Sequence, residues 1–200
     1  MSSVGEAFIQ GIGRPDLPEV SGIDFSKRIA QKVWEEVQEE IGSGWFMNRF
    51  LYLFGEKLEY LSPCIDAWSF LLDSELNRIV IGKNAYGFLL IMEDPKTKGI
   101  NAPIGLFDPW NISYRKYDGL GFINLIGNWL PQGRVPGFLY NILYESWQEK
   151  NKNYLDFFEI IAIKQPLSLG GKIEEQNFQI ENIVEYYQTT GSIYNKVLNS

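Results

Sequence analysis

The chain has 200 residues, an apolar fraction of 45% and a net charge of −7 from 25 acidic and 18 basic side chains. That length can bury a core without disulfides or metal, and the excess of carboxylates argues against a surface that tracks nucleic-acid phosphates, which needs clustered Lys and Arg. Histidine is absent and cysteine occurs once, which excludes Ser-His-Asp and Cys-His triads, HExxH sites and Cys/His zinc clusters. No metal, cofactor or catalytic residue is expected. The aromatic share of 15% is high, and aromatic side chains dominate the energetics of cores and interfaces alike. Cys64, in SPCIDAWSF, reads as a small buried hydrophobe. The chain opens without a secretory signal pattern, and apolar runs such as GFLLIM fall far short of the ~20 residues of a membrane span. A cytoplasmic protein without a membrane segment is the expectation.

Residues 1–22, with GIGRPDLPEVSG, are rich in Gly and Pro and lack a sustained period, so they read as an N-terminal arm over the fold. From Asp24 or Ser26, Ile29, Val33, Val37 and Ile41 recur every four residues and Gly42 follows, the pattern of an amphipathic helix and its stop. Its outer face carries Glu35, Glu36, Glu39 and Glu40, the densest negative patch in the chain. Such a run is normally a solvated face; here it is also a candidate contact for a basic partner. Positions 45–72 hold apolar residues at both helical and strand spacings, with breaks at Gly55 and Ser62-Pro63; short helices are expected, making 23–76 a helical region.

From Asn77 to Glu93, two β-rich runs flank Lys83-Asn84-Ala85, a hairpin signal. The runs Ile104–Phe107 and Ile112–Tyr117 flank Asp108-Pro109-Trp110-Asn111, whose turn chemistry predicts a second hairpin, so a small antiparallel meander follows. LGFINLIGNWL reads as a helix stopped by Pro131, and a further helix runs from about Gly137 to Lys150. YLDFFEIIAI reads as a strand, in which Asp156 and Glu159 serve an edge or a cap. The last segment, Phe178 to Leu198, has Ile180, Ile183, Val184 and Tyr187 at helical spacing. The fold class is α+β, a small antiparallel meander packed with helices on its N- and C-terminal sides.

Between the strand and the last segment lies PLSLGGKIEEQNF. A phosphate cradle needs G-x-x-x-x-G-K-[ST], so that backbone N–H groups and a magnesium-binding hydroxyl face the anion. Here Pro166 stands at the first glycine position and Ile173 at the hydroxyl position, and proline has no N–H to offer. The Gly170-Gly171 pair therefore reads as a turn.

Three stretches in this order, IGKNAYGFLLIME with Gly87 before an apolar β-run, IGLFDPWNISY with its Asp108-Pro109 turn, and FINLIGNWL, together with PLSLGG, Asn177 and YYQTTGSIYN, resemble the C-terminal domain of immunity proteins paired with type VI secretion DNase effectors. In that family a GAD-like region precedes the domain, and the group is similar to the wider SUKH-type fold. The likeness spans roughly 77–195, giving an immunity-type region 77–200 in one compact unit with a GAD-like 23–76. Gly87, Asp108, Pro109, Leu169, Gly170, Gly171 and Asn177 carry over as architecture. The resemblance implies a non-enzymatic cytoplasmic protein that binds and neutralises a cognate toxin, a basic nuclease. Glu35, Glu36, Glu39, Glu40 and the aromatic Trp110 are the candidate contacts, although a turn tryptophan is equally a core residue. The alternatives are a SUKH-like small-molecule-binding or adaptor module with its pocket in the aromatic-rich 45–70, and a carboxylate hydrolase using a pair such as Asp66 with Glu75, for which no spacing argues.

Overall fold

The computed structural model describes residues 4–19, 37, 39–72, 76–117, 119–135 and 137–198; Glu35, Glu36, Glu75 and most of the helix expected from Asp24 lie outside them. Strands β1 (Leu17–Pro18), β2 (Gly44–Phe46), β3 (Leu51–Leu53), β4 (Arg78–Asn84), β5 (Leu89–Glu93), β6 (Ile104–Asp108) and β7 (Ser113–Tyr117) form one antiparallel sheet in sequential order. A separate two-stranded sheet pairs β8 (Glu159–Ile163) with β9 (Phe178–Asn182). Helices occupy Val4–Gly11, Ser62–Ala67, Pro95–Lys98, Phe122–Asn124, Ile142–Asn151 and Ile183–Leu198. The class is α+β, as the alternation of β-rich and helical stretches predicts.

Strand β5 is buried at every position and β4 at every position after Arg78. Successive side chains of a strand point to opposite faces, so both faces of the sheet centre are covered, and the apolar run is continuous rather than alternating for that reason. The hairpin of β6 and β7 forms where the turn residues place it. Asp108 accepts hydrogen bonds from the Trp110 and Asn111 amides at 2.9 and 3.1 Å, an Asx turn that closes the reversal locally.

Three expectations are corrected. Residues 44–53 form two strands and not short helices: Leu51, Tyr52 and Leu53 pair with Asn84, Lys83 and Gly82, so the 23–76 region donates strands to the same sheet as the region after it. Most of its large aromatics belong to the core: Trp45, Phe46, Phe50, Tyr52, Phe54 and Trp68 are each at most 2% exposed, whereas Tyr60 is on the surface. Residues 4–11 are helical rather than an irregular arm: Val4, Phe8 and Ile12 recur at four-residue spacing, Phe8 is fully buried, and its ring meets Phe46 edge-on at 5.7 Å. The last segment begins as strand β9 and turns helical only at Ile183, because pairing with β8 outweighs the helical spacing of Ile180.

Candidate docking surface

The tip of the β4–β5 hairpin anchors the second sheet. The expected turn at Lys83-Asn84-Ala85 sits slightly later, at residues 85–88, and both Lys83 and Asn84 are fully buried at the end of β4. The Asn84 carboxamide builds the turn, its Oδ1 accepting from the Tyr86 and Phe88 amides at 3.0 Å each while Nδ2 donates to the Phe138 carbonyl at 3.1 Å. Outside the turn, the Ile161 amide donates to the Ala85 carbonyl at 2.8 Å and the Tyr187 hydroxyl to the Gly87 carbonyl at 2.7 Å. Gly87 has φ +82°, and a Cβ there would lie 2.9 Å from Ile160 Cδ1. Only glycine meets both demands without strain.

Lys83 crosses from the large sheet to the segment entering β8. Its Nζ donates to the carbonyls of Phe157 and, at 3.2 Å, Glu159, and lies 5.1 Å from the Phe157 ring centroid and 5.6 Å from that of Trp45. Burial pulls the ammonium pKa down to about 7, against an opposing pull from Cys64 and Glu159. The Cys64 thiol is itself pushed up to about 12, chiefly by burial. Two carbonyls and two aromatic faces are the environment of a clamp. Lys83 is fully buried, out of reach of a substrate.

Two motifs that are separate in sequence meet in space. The Leu167 amide donates to the Trp110 carbonyl at 3.0 Å, and the Trp110 ring stacks on Phe178 at 5.9 Å. Asn177 fastens the Gly-Gly connection: its Nδ2 donates to the Gln165 and Lys172 carbonyls at 3.0 and 2.9 Å, and its Oδ1 accepts from the Gln165 amide at 2.9 Å. Gly170 has φ +85°, and a Cβ on Gly171 would stand 1.9 Å from the Gln165 carbonyl oxygen. The glycines turn the β8–β9 connection tightly, Leu169 is left 61% exposed at its tip, and Pro109 is buried in the Asp108 turn.

Grooves flank the β8–β9 pair on both sides. One, of about 440 Å³, lies against the Ile142–Asn151 helix and is lined by Leu143, Trp147, Ile161, Phe178 and Ile180, with the Lys150–Glu175 ion pair on its rim. The other, also about 440 Å³, lies against the Ile183–Leu198 helix, with Leu169, Tyr186, Ile193 and Tyr194 among its walls and the carboxylates Glu181 and Glu185 beside them. A third cleft of about 440 Å³ opens between Tyr86, Trp110, Arg115 and Tyr140.

Of the predicted contacts, Glu35 and Glu36 fall outside the described residues, and Glu39 and Glu40 are exposed on a helical turn. Glu40 also accepts the Gly5 amide at 3.0 Å, tying the first helix down. Trp110 is 4% exposed and packed among Tyr86, Phe88 and Phe178, so its ring belongs to the core and offers no surface to a macromolecule. Glu159 accepts the Asp156 amide at 2.9 Å, a turn contact, and Asp66 is exposed. Sequence reasoning missed Glu181, Glu185, Tyr186 and Ile193, whose one signal was an acidic-apolar alternation at the start of the last segment. Among the described residues, no group of three or more Cys, Asp or Glu could hold a metal ion, and no helix is long and apolar enough to cross a membrane.

No family model and no curated protein matches the sequence. The chain is similar to the crystal structure of Atu4351 from Agrobacterium tumefaciens, with a TM-score of 0.65 and 17% sequence identity over 93% of this chain and 87% of that one. At that identity the likeness shows a shared α+β fold.

Proposed function

We propose that this protein is an immunity protein of the type VI secretion kind, which binds a cognate nuclease toxin in the cytoplasm and blocks it without chemistry of its own. The observation that carries the reading is the surface around β9. The large apolar side chains Leu169, Ile180 and Ile193 are exposed there, and Glu181 and Glu185 stand beside them with no ion-pair partner among the described residues. Exposed apolar anchors, two of them in the groove that holds these carboxylates, suit a partner that is basic because it must approach nucleic-acid phosphates. The net charge of −7 steers such a partner over distance, a gain of about 10- to 1000-fold in association rate in favourable cases.

The test is first whether a secreted nuclease-like protein is encoded directly beside its gene, and then co-expression with that protein. A stable complex and loss of DNA cleavage are expected; separate elution with undiminished cleavage sinks the reading. Changing Glu35, Glu36 and Glu39 to Lys should slow association and flatten its salt dependence, whereas Glu40→Lys also removes the acceptor for Gly5. A second reading, a small-molecule-binding module, is favoured by the cleft between Tyr86, Trp110 and Tyr140. Thermal stabilisation by a metabolite, lost in Tyr140→Ala, would support it.

A further inference from the structure

Strand edges expose backbone donors and acceptors, and proteins guard them with short length, proline or positive charge. The edges of the large sheet follow this rule: β1 is two residues long and ends at Pro18, and β7 carries Arg115 and Lys116. Strand β9, Phe178-Gln179-Ile180-Glu181-Asn182, has no proline and no basic residue, and its single charge is Glu181. Its register assigns the open groups. The Lys164 amide donates to the Asn177 carbonyl and the Ile183 amide to the Phe158 carbonyl, so alternate residues of β9 face β8, and Phe178, Ile180 and Asn182 direct their backbone groups outward. The Phe178 amide is taken by the Glu175 carbonyl. The amide and carbonyl of Ile180 and the amide of Asn182 have no backbone partner among the described residues, and Ile180 is 42% exposed. The opposite edge, on β8, is closed by the bond from Ile161 to Ala85.

A strand laid on this edge would send its side chains alternately to the two faces of the hairpin, and each face has a groove. On the Leu143–Trp147 side the rim charges are already paired, Lys150 with Glu175, so that side takes apolar residues. On the other side Glu181 and Glu185 have no ion-pair partner among the described residues, since the Lys164 ammonium that shares the groove donates to the Gln176 carbonyl at 3.0 Å, and the buried Tyr186 and Tyr194 hydroxyls find no hydrogen-bond partner there. Buried hydroxyls left unpaired are uncommon. The two carboxylates make that side the one for cationic donors. We propose that the open edge of β9 receives an extended segment of a partner protein, alternating basic and apolar residues, as a third strand of the β8–β9 sheet. The partner being the toxin rests on the immunity reading; the chemistry of the segment rests on the edge and its grooves.

The experiment follows amide exchange at Ile180 and Asn182 in the full chain, with two probes: the neighbouring-encoded nuclease, and a short capped peptide alternating lysine and valine, controlled by its glutamate–valine counterpart. Slowing of both amides by about tenfold or more with either basic probe is expected, with the control inert. Glu181→Lys combined with Glu185→Lys, both on the surface, should weaken binding by about tenfold or more, and Ile180→Pro, checked for a native circular dichroism spectrum, should abolish it. A nuclease complex that leaves these amides and both variants' affinities unchanged overturns the inference while the immunity reading stands. Protection by the peptide without a nuclease complex does the reverse. Protection by neither probe, or protection in the free chain that grows with its own concentration, overturns the inference, the latter in favour of edge pairing between two copies.

Discussion

Changing Lys83 to Met removes a buried ammonium that crosses between the two sheets, and its effect on stability should depend on pH. In the folded protein the lysine pKa lies at about 7, chiefly because burial strips its water; in the unfolded chain it returns to about 10.4. The folded value is depressed, so between these limits the unfolded chain binds a proton that the folded one lacks, and stability rises with pH. From pH 7 to 8.5 the rise from this residue works out at about 1.5 kcal/mol. Cys64 opposes it, since its folded thiol titrates at about 12 and its unfolded thiol near about 8.5, which subtracts about 0.4 kcal/mol at the top of that window. Both proteins keep Cys64, and because Lys83 acts only to lower that thiol, its removal leaves the folded thiol neutral across the window, so the difference between them isolates the lysine. Urea denaturation at half-unit intervals should show wild-type stability climbing relative to Lys83→Met by about 1.5 kcal/mol. Parallel curves would mean that Lys83 stays charged on its carbonyls throughout, and the desolvation argument would be wrong.

Gly87→Ala should destabilise by about 1–2 kcal/mol, because φ is positive there and Ile160 blocks the new methyl; equilibrium unfolding measures it, and an unchanged midpoint would contradict the fit. Asn177→Ala removes three hydrogen bonds from the Gly-Gly connection, and at a partly exposed site it should cost about 1–2 kcal/mol, accompanied by faster proteolysis between Gln165 and Asn177. Trp110→Ala opens a cavity among Tyr86, Phe88 and Phe178 and should cost about 3–5 kcal/mol, whereas Trp110→Phe should leave nuclease affinity unaltered because the ring is only 4% exposed.

The readings that hold are those whose forces act over a few residues. The Asp108 turn is legible because its carboxylate binds amides two and three residues on, and the stop at Gly42 is legible because the Gly42 amide bonds back to the Val37 carbonyl with φ at +84°. The Gly170-Gly171 turn follows from the missing Cβ atoms. Failures occur where partners are distant. Residues 44–53 carry spacings that suit either state, and pairing with Arg78–Asn84 decided for strands. Phe178–Asn182 has a helical apolar spacing, and β8 overruled it.

Composition alone removed histidine and thiol chemistry from consideration and supplied an acidic, aromatic-rich chain able to form an α+β core. The tertiary structure decided which aromatics are spent in that core, Trp110 among them, and which groups remain outside it. Lys83 reaches a carbonyl 74 residues away, and the edge of β9 stays open because its neighbours cover the faces of the second sheet and not its side. Such pairings are settled by closure of the chain on itself, a sum of many weak long-range contacts that no local spacing records.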